Sequence, residues 1–219
     1  SLTQITIPSS VTSIGESAFE RCTKLKEINI PSSVLSIGEN AFQCCYSLIN
    51  VSLLSPLSSI KENTFNSCFK LNNIIIPSSV TLIEKNSFRK CYSLIHVSIP
   101  SQVKSIQDYA FGECRKIQQI KIPSSVTFIG RDAFFECKSL TEIIIPNSVT
   151  SIGEHAFSEC SLFQVKLPSS INVIQEGLFY MCRFLDHVDI PSSVTKIESF
   201  AFFGCTSLKE INIPSSVKT

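Results

Sequence analysis

Cysteine stands three residues after a phenylalanine at Cys22, Cys45, Cys68, Cys91, Cys114, Cys137, Cys160, Cys182 and Cys205, and no other pattern in the chain holds as much potential chemistry. Clustered thiolates bind zinc, and paired thiols in an oxidising compartment form disulfides. Neither arrangement fits. No Cys-x-x-Cys occurs, and the position of each thiol follows from its phenylalanine, at Phe19, Phe42, Phe65, Phe88, Phe111, Phe134, Phe157, Phe179 and Phe202. A disulfide requires Cβ atoms about 3.8 Å apart in a crossed geometry, whereas equivalent residues of stacked units carry nearly parallel side chains. The column therefore reads as reduced, buried thiols serving as small apolar groups. Cys44, beside Cys45 and off the column, is the candidate free surface thiol.

Histidine offers no better a centre. His96 and His187 share one repeat position but lie four repeats apart, about 19 Å at the spacing of paired strands, and His155 belongs to the opposite side of the unit. Residues so separated cannot share a metal or complete a Ser-His-Asp triad. The nearest polar cluster is His187 with Asp186 and Asp189. Gly15, Gly38, Gly130 and Gly153 recur at one position, so they serve a turn and not a phosphate-binding loop. No catalytic residue, metal ligand or cofactor site is expected. Asn50-Val51-Ser52 is a sequon, which makes Asn50 a candidate glycosylation site if the protein is secreted by a eukaryotic cell.

The elements that hold these residues come from the repeat itself. Successive phenylalanines are 23 residues apart except for one step of 22, from Phe157 to Phe179. That deletion is local: Cys137 reaches Leu140 through two residues, Cys160 reaches Leu162 through Ser161 alone. Aligned copies read Leu-x-x-Ile-x-Ile-Pro-x-Ser-Val-x-x-Ile-Gly-x-x-Ala-Phe-x-x-Cys-x-x. Ile28 and Ile30 alternate with Glu27 and Asn29, the period of a half-buried strand, and Pro31 ends it by removing an amide donor. Beyond Gly38, residues Ala41, Phe42 and Cys45 fall at helical spacing behind acidic Glu39, which predicts a short helix. One or two helical turns are not stable alone in water. Each unit must therefore stack on its neighbours and place equivalent residues in ladders, with parallel strands about 4.8 Å apart.

This pattern resembles the leucine-rich repeat, in its BspA-like class, over the whole chain. Leu25, Ile28 and Ile30 carry the strand half, and the Ile-Gly-x-x-Ala-Phe-x-x-Cys remainder is the more diagnostic part. Departures are few: Leu54 stands for the proline, Pro56 displaces a serine, and Thr64, Ser87 or Leu178 replaces the alanine. The expected fold is an α/β repeat, a right-handed solenoid with one parallel sheet of about ten short strands and short helical turns on the opposite side. Residues 1–219 are expected to form a single solenoid domain, a fragment of a longer protein without capping repeats. The resemblance further implies a cell-surface or secreted protein, with adhesion to host-cell or extracellular-matrix proteins as the usual role of the class. Serines after the strand, such as Ser124 and Ser125, are expected to satisfy turn backbone groups.

Composition narrows the partners. With 19 Lys+Arg against 18 Asp+Glu and a net charge of +1, no basic excess favours nucleic acid. No apolar run approaches the roughly 20 residues of a spanning helix, so no membrane insertion is expected within this segment. Side chains at the last turn, among them Ile211, Ile213 and Val217, give an apolar end for which weak end-to-end self-association is expected. What varies from copy to copy is the outward strand face. One column reads Gln4, Glu27, Asn50, Asn73, His96, Gln119, Glu142, Gln164, His187, Glu210; the next reads Thr6, Asn29, Ser52, Ile75, Ser98, Lys121, Ile144, Lys166, Asp189, Asn212. Apolar Ile75 and Ile144, with Ile95 and Phe163 at the strand start, interrupt this polar surface. The candidate ligand-binding face is thus Ile75, Ile95, His96, Lys121, Ile144, Phe163 and Lys166, presented to a protein ligand. The alternative is a spacer that displays another domain.

Overall fold

The computed structural model describes residues 2–218; Ser1 and Thr219, the outermost residues of the expected solenoid, lie outside the described residues. Successive coils stack with a register that copies the repeat: Glu27 pairs with Asn50, Asn73 with His96, Gln119 with Glu142 and Gln164 with His187, all parallel. The strand face comprises Glu27–Ile30, Asn50–Leu53, Asn73–Ile75, His96–Ser98, Gln119–Lys121, Glu142–Ile144, Gln164–Lys166 and His187–Asp189, and Thr6 makes an isolated parallel bridge to Asn29. The proline rule is visible in its exception. Where Leu54 replaces proline, its N–H donates to the Ile30 carbonyl at 3.1 Å and the ladder runs on.

A second parallel ladder, not read in the sequence, runs through the two-residue strands of the Ser-Ile segments. Ser59–Ile60, Leu82–Ile83, Ser105–Ile106, Phe128–Ile129 and Ser151–Ile152 form its longest run. Buried isoleucines from this ladder and from the strand face enclose one continuous core with the leucine, valine, phenylalanine and cysteine columns. The core is a stack of rows. Phe19, Phe42, Phe65, Phe88, Phe111, Phe134, Phe157, Phe179 and Phe202 lie ring on ring, with centroids 5.3 to 6.0 Å apart.

The expected short helices are absent among the described residues, where tight turns occupy the Phe-Cys segment. The reason lies in the backbone. Asn40 and Cys44 adopt φ of 56° and 59°, and their counterparts Asn63 and Ser67, Asn86 and Lys90, Asp132 and Glu136 do the same. A left-handed residue at every fourth position breaks an α-helix before its i→i−4 bonds can form. The chain instead makes consecutive i→i−3 turns, Gln43 N–H to Asn40 O at 2.9 Å and Cys45 N–H to Phe42 O at 3.2 Å. Alternate amides are left free for the next coil: Asn40 N–H donates to Glu62 O, Phe42 N–H to Thr64 O and Cys44 N–H to Asn66 O, at 3.0, 2.9 and 2.8 Å. A helix would have used those donors internally and left the turns held to one another by side chains alone.

Glycine at the head of this segment also has a different role from that expected. A Cβ on Gly38 would lie 2.5 Å from the Glu16 nitrogen, and one on Gly153 would lie 2.4 Å from that of Arg131. These glycines permit close approach of one coil to the one before it, rather than a turn into a helix.

The deletion leaves a joint. On its N-terminal side the strand face ends a run at Ile144 and the second ladder at Ile152; both resume beyond it, at Gln164 and Val173. Among the described residues both ladders are interrupted together only here. The phenylalanine stack opens to its widest spacing at the same step, 6.0 Å between Phe157 and Phe179.

Candidate functional site

The thiol column settles into structure. Each described cysteine from Cys45 to Cys205 on the column donates its S–H to the carbonyl of the phenylalanine one coil back, as from Cys45 to Phe19 at 3.1 Å, Cys114 to Phe88 at 3.1 Å and Cys182 to Phe157 at 3.0 Å. That same carbonyl already accepts the N–H of its own coil's cysteine, as Phe88 does from Cys91 at 3.1 Å. Burial pushes the Cys45 thiol up to about 12 and Cys205 to about 11, and it raises Cys68, Cys91, Cys114, Cys137, Cys160 and Cys182 well above the ordinary value. A thiol held neutral and engaged as a donor is a poor nucleophile and a poor metal ligand. The sequence suggested an apolar filler; the structure shows a hydrogen-bond donor that ties coil to coil.

Serines after the strand act similarly. Ser33, Ser79, Ser125, Ser148 and Ser216 donate to the carbonyls of Val11, Leu57, Val103, Val126 and Val194 at 2.6 to 2.9 Å. Their bonds reach across to the previous coil instead of closing the local turn.

Two surfaces remain. Along the turn edge, Tyr46, Phe69 and Tyr92 stack at 4.7 and 4.9 Å, and the Arg115 guanidinium covers the last ring at 4.7 Å. Arg115 also pairs with Glu136 at 2.9 Å and Glu113 at 3.7 Å, Arg89 with Glu113 at 3.3 Å, and Lys138 with Glu136 at 3.2 Å. Sequence reasoning missed this edge, although the aromatic run one residue after Cys45, Cys68 and Cys91 signalled it. Rings and charges here are occupied with one another. Cys44 lies at the same edge, half-buried, and its neighbouring thiol raises the Tyr46 phenol. Cys22 is half-buried as well, so the accessible thiols include a second cysteine that the sequence placed on the column.

The strand face is different. Both outward columns are exposed from Gln4 to Glu210 and from Thr6 to Asn212. Ile75 and Ile144 are 76% and 77% exposed, Phe163 is 46% exposed, and Ile95 is half-buried with its N–H on the Asn72 carbonyl at 3.0 Å. The structure brings Ile144, Phe163 and Lys166 together in one shallow depression of about 320 Å³, with Glu142, His187 and Asp189 on its rim. Lys121 opens onto a separate depression of about 430 Å³ with Ser98 and Pro123, and Ile75 and His96 lie apart from both. Asp189 is engaged by His187 at 2.9 Å. Lys121, Lys166 and Glu142 form no ion pair among the described residues. Asn50 is exposed at the start of its strand, and Ser52 of the same sequon points to the same side.

Among the described residues no group of three or more His, Cys, Asp or Glu is placed to hold a metal, and no helix is long and apolar enough to cross a membrane. The strand face can therefore offer contact, through aliphatic and aromatic groups next to unpaired charges on a backbone fixed by two ladders.

The family profile described as a BspA type Leucine rich repeat region matches residues 1–118 and 104–219. Among solved structures, a leucine rich cell surface protein from Faecalibacterium prausnitzii A2-165 is 32% identical over 99% of this chain and 74% of its own, with a TM-score of 0.63. A leucine-rich repeat protein from Bacteroides ovatus ATCC 8483 is 27% identical over 95% of this chain and 72% of its own, with a TM-score of 0.59. The T. pallidum leucine rich repeat protein shares the fold at 24% identity, over 94% of this chain and 78% of its own, with a TM-score of 0.53. No curated protein matches the chain with statistical significance.

Proposed function

Since the chain belongs to the BspA-type leucine-rich repeat family, we propose that it is a non-catalytic protein-binding module which offers its strand face to a protein ligand at the cell surface or outside the cell. One observation carries this reading. Throughout the molecule the repeat fixes the buried columns, while the strand face alone combines full exposure, unpaired charge and two isoleucines more than three-quarters exposed, Ile75 and Ile144. Isolated exposed aliphatic groups are ordinary; here they stand on a regular face of parallel strands, which is where a solenoid engages extended ligands.

A surface location is supported by the description of the Faecalibacterium prausnitzii relative as a cell surface protein. Adhesion to host-cell or matrix proteins is the role this reading assigns, and a surface location and a face that spans many coils support it. Residues 1–219 act in this reading as one recognition unit, with Asn50 as a glycosylation site on the face if the protein passes through a eukaryotic secretory pathway.

The test is surface plasmon resonance of the intact chain against a panel of purified extracellular-matrix proteins, comparing wild type with Ile144→Asp and Lys121→Glu. Binding to at least one member that either substitution weakens supports recognition by this face. A panel without a binder, or a binder indifferent to both changes, favours a spacer that only displays another domain.

A further inference from the structure

The two exposed isoleucines have different neighbours. In the outward column Ile75 lies between Ser52 and Ser98 and is in register with Ser98. Ile144 lies between Lys121, its register partner, and Lys166, on the first strand past the joint. Paired strands are spaced at about 4.8 Å, so the Lys121 backbone lies one strand spacing from that of Ile144, and Lys166 follows in the same column one coil on, across the joint. Neither lysine forms an ion pair among the described residues. Phe163, at the start of the first shifted strand, packs edge-on to Phe184 at 6.3 Å and forms the apolar wall of the depression beside Ile144.

We propose that this Lys121–Ile144–Lys166 row, with Phe163 as its wall, is the specificity centre of the strand face, and that it recognises an extended peptide segment whose outward pattern is acidic, x, large apolar, x, acidic. The inference rests on the reading of the strand face as a protein-binding surface, and it names the partner's chemistry. An extended segment laid across the strands places every second side chain on one face, about 6.8 Å apart. Its central apolar side chain then enters the depression between Ile144 and Phe163. The two flanking carboxylates fall just outside the lysine backbones, within the sweep of their flexible four-carbon stems. Glu142, also on the rim, disfavours an acidic group in place of the central apolar one and so sharpens the pattern. The desolvated apolar contact supplies most of the affinity, as buried anchors do at interfaces, and the flanking charges add steering and register.

The experiment is a selection of short random peptides displayed on phage against the immobilised chain at low salt, followed by binding of the enriched peptides to wild type, Ile144→Asp, the double variant Lys121→Glu/Lys166→Glu and Ile75→Asp. Circular dichroism of each variant checks that the exposed substitutions leave the fold intact. The expected result is enrichment of the acidic, apolar, acidic pattern, with binding about tenfold or more weaker on Ile144→Asp and on the double variant, little change on Ile75→Asp, and a loss of affinity as salt is raised. Enriched peptides of another pattern that depend on Ile75, or on other residues of the strand face, overturn this centre and leave the strand-face reading standing. Peptides indifferent to every strand-face substitution, or a selection without enrichment, overturn both.

Discussion

The Phe-Cys side and the strand face of this solenoid are built from the same coils and held by the same kind of backbone ladder, yet they repeat different things. On the Phe-Cys side the side chains recur: rings stack at 5.3 to 6.0 Å, and thiols such as those of Cys91 and Cys137 donate to carbonyls one coil back at 3.2 and 3.3 Å. On the strand face only the backbone recurs, and the outward columns change from coil to coil. A position repeats where its side chain completes the contact between coils, and it is free where the backbone already completes that contact. The two sides therefore divide stability and recognition between them, and substitutions can test the division.

The largest effect is expected at the ring stack. Phe134 is fully buried, with partners at 5.6 Å on both sides, and Phe134→Ala removes a side chain that its neighbours cannot replace by collapse. A loss of about 3–5 kcal/mol is expected in chemical denaturation. A loss below about 1 kcal/mol would mean that the stack is a consequence of coil packing and not one of its causes.

The thiols come next. Cys137→Ala forfeits a hydrogen bond and leaves a small void, for about 1–2 kcal/mol. pH supplies an independent test. Folding raises the pKa of the buried thiols above the reference value of 9.0, so the native state holds these protons more tightly than the unfolded chain. Their contribution is complete below about pH 9 and declines as pH rises toward the native values, by about 1.4 kcal/mol per pH unit for each buried thiol. Alkaline unfolding should thus steepen above about pH 9, and thiol reagents at neutral pH should react quickly with Cys22 and Cys44 and slowly with the rest. A flat stability profile from pH 8 to 11 would contradict the burial of these thiols.

How much of this was legible depends on which residue is asked. The period, the deletion at Ser161, the alternation at Ile28 and Ile30 and the stacking of Phe42 on Phe65 all follow from spacing, because burial of a short unit permits no other outcome. The helix did not survive. Its spacing at Ala41, Phe42 and Cys45 is compatible with any turn that buries the same side, and only backbone conformation separates the two. A partial signal was available: the column Ser17, Asn40, Asn63, Asn86, Tyr109, Asp132, His155, Gly177, Phe200 is rich in residue types that tolerate left-handed φ, with Tyr109 and Phe200 as departures. The second ladder was hidden because two residues are too few to show a period. Within the candidate face, exposure of Ile75 and Ile144 and the adjacency of Ile144 to Lys166 in one column were readable from alternation and period, but the depression that Ile144, Phe163 and Lys166 line together was not, since it depends on how their side chains pack.

That left-handed column supplies a smaller test. Asn40 holds φ of 56° with no side-chain hydrogen bond among the described residues. Asn40→Ala is therefore expected to cost about 1 kcal/mol through backbone strain alone, and Asn40→Gly much less. Equal losses for the two would point to a side-chain contact as the cause and detach the turn conformation from the identity of the column.

The smallest effect on stability is expected where the effect on binding is largest. Ile144 sits on a strand whose N–H and C=O groups belong to the ladder with Gln119–Lys121, and its side chain is 77% exposed. Ile144→Asp thus removes little buried area and leaves the backbone bonds in place, so the denaturation midpoint should move by no more than about 0.5 kcal/mol equivalent. Two contributions act in opposite senses. Aspartate has a lower strand propensity than isoleucine, while the flanking Lys121 and Lys166 attract the new carboxylate through solvent, a gain that added salt screens. Measured at low and at high salt, the variant should stay near wild type in the first case and fall slightly below it in the second. A loss of several kcal/mol at either salt would show that Ile144 packs into the solenoid, and would remove the division between a side that holds the coils together and a side that is free to bind.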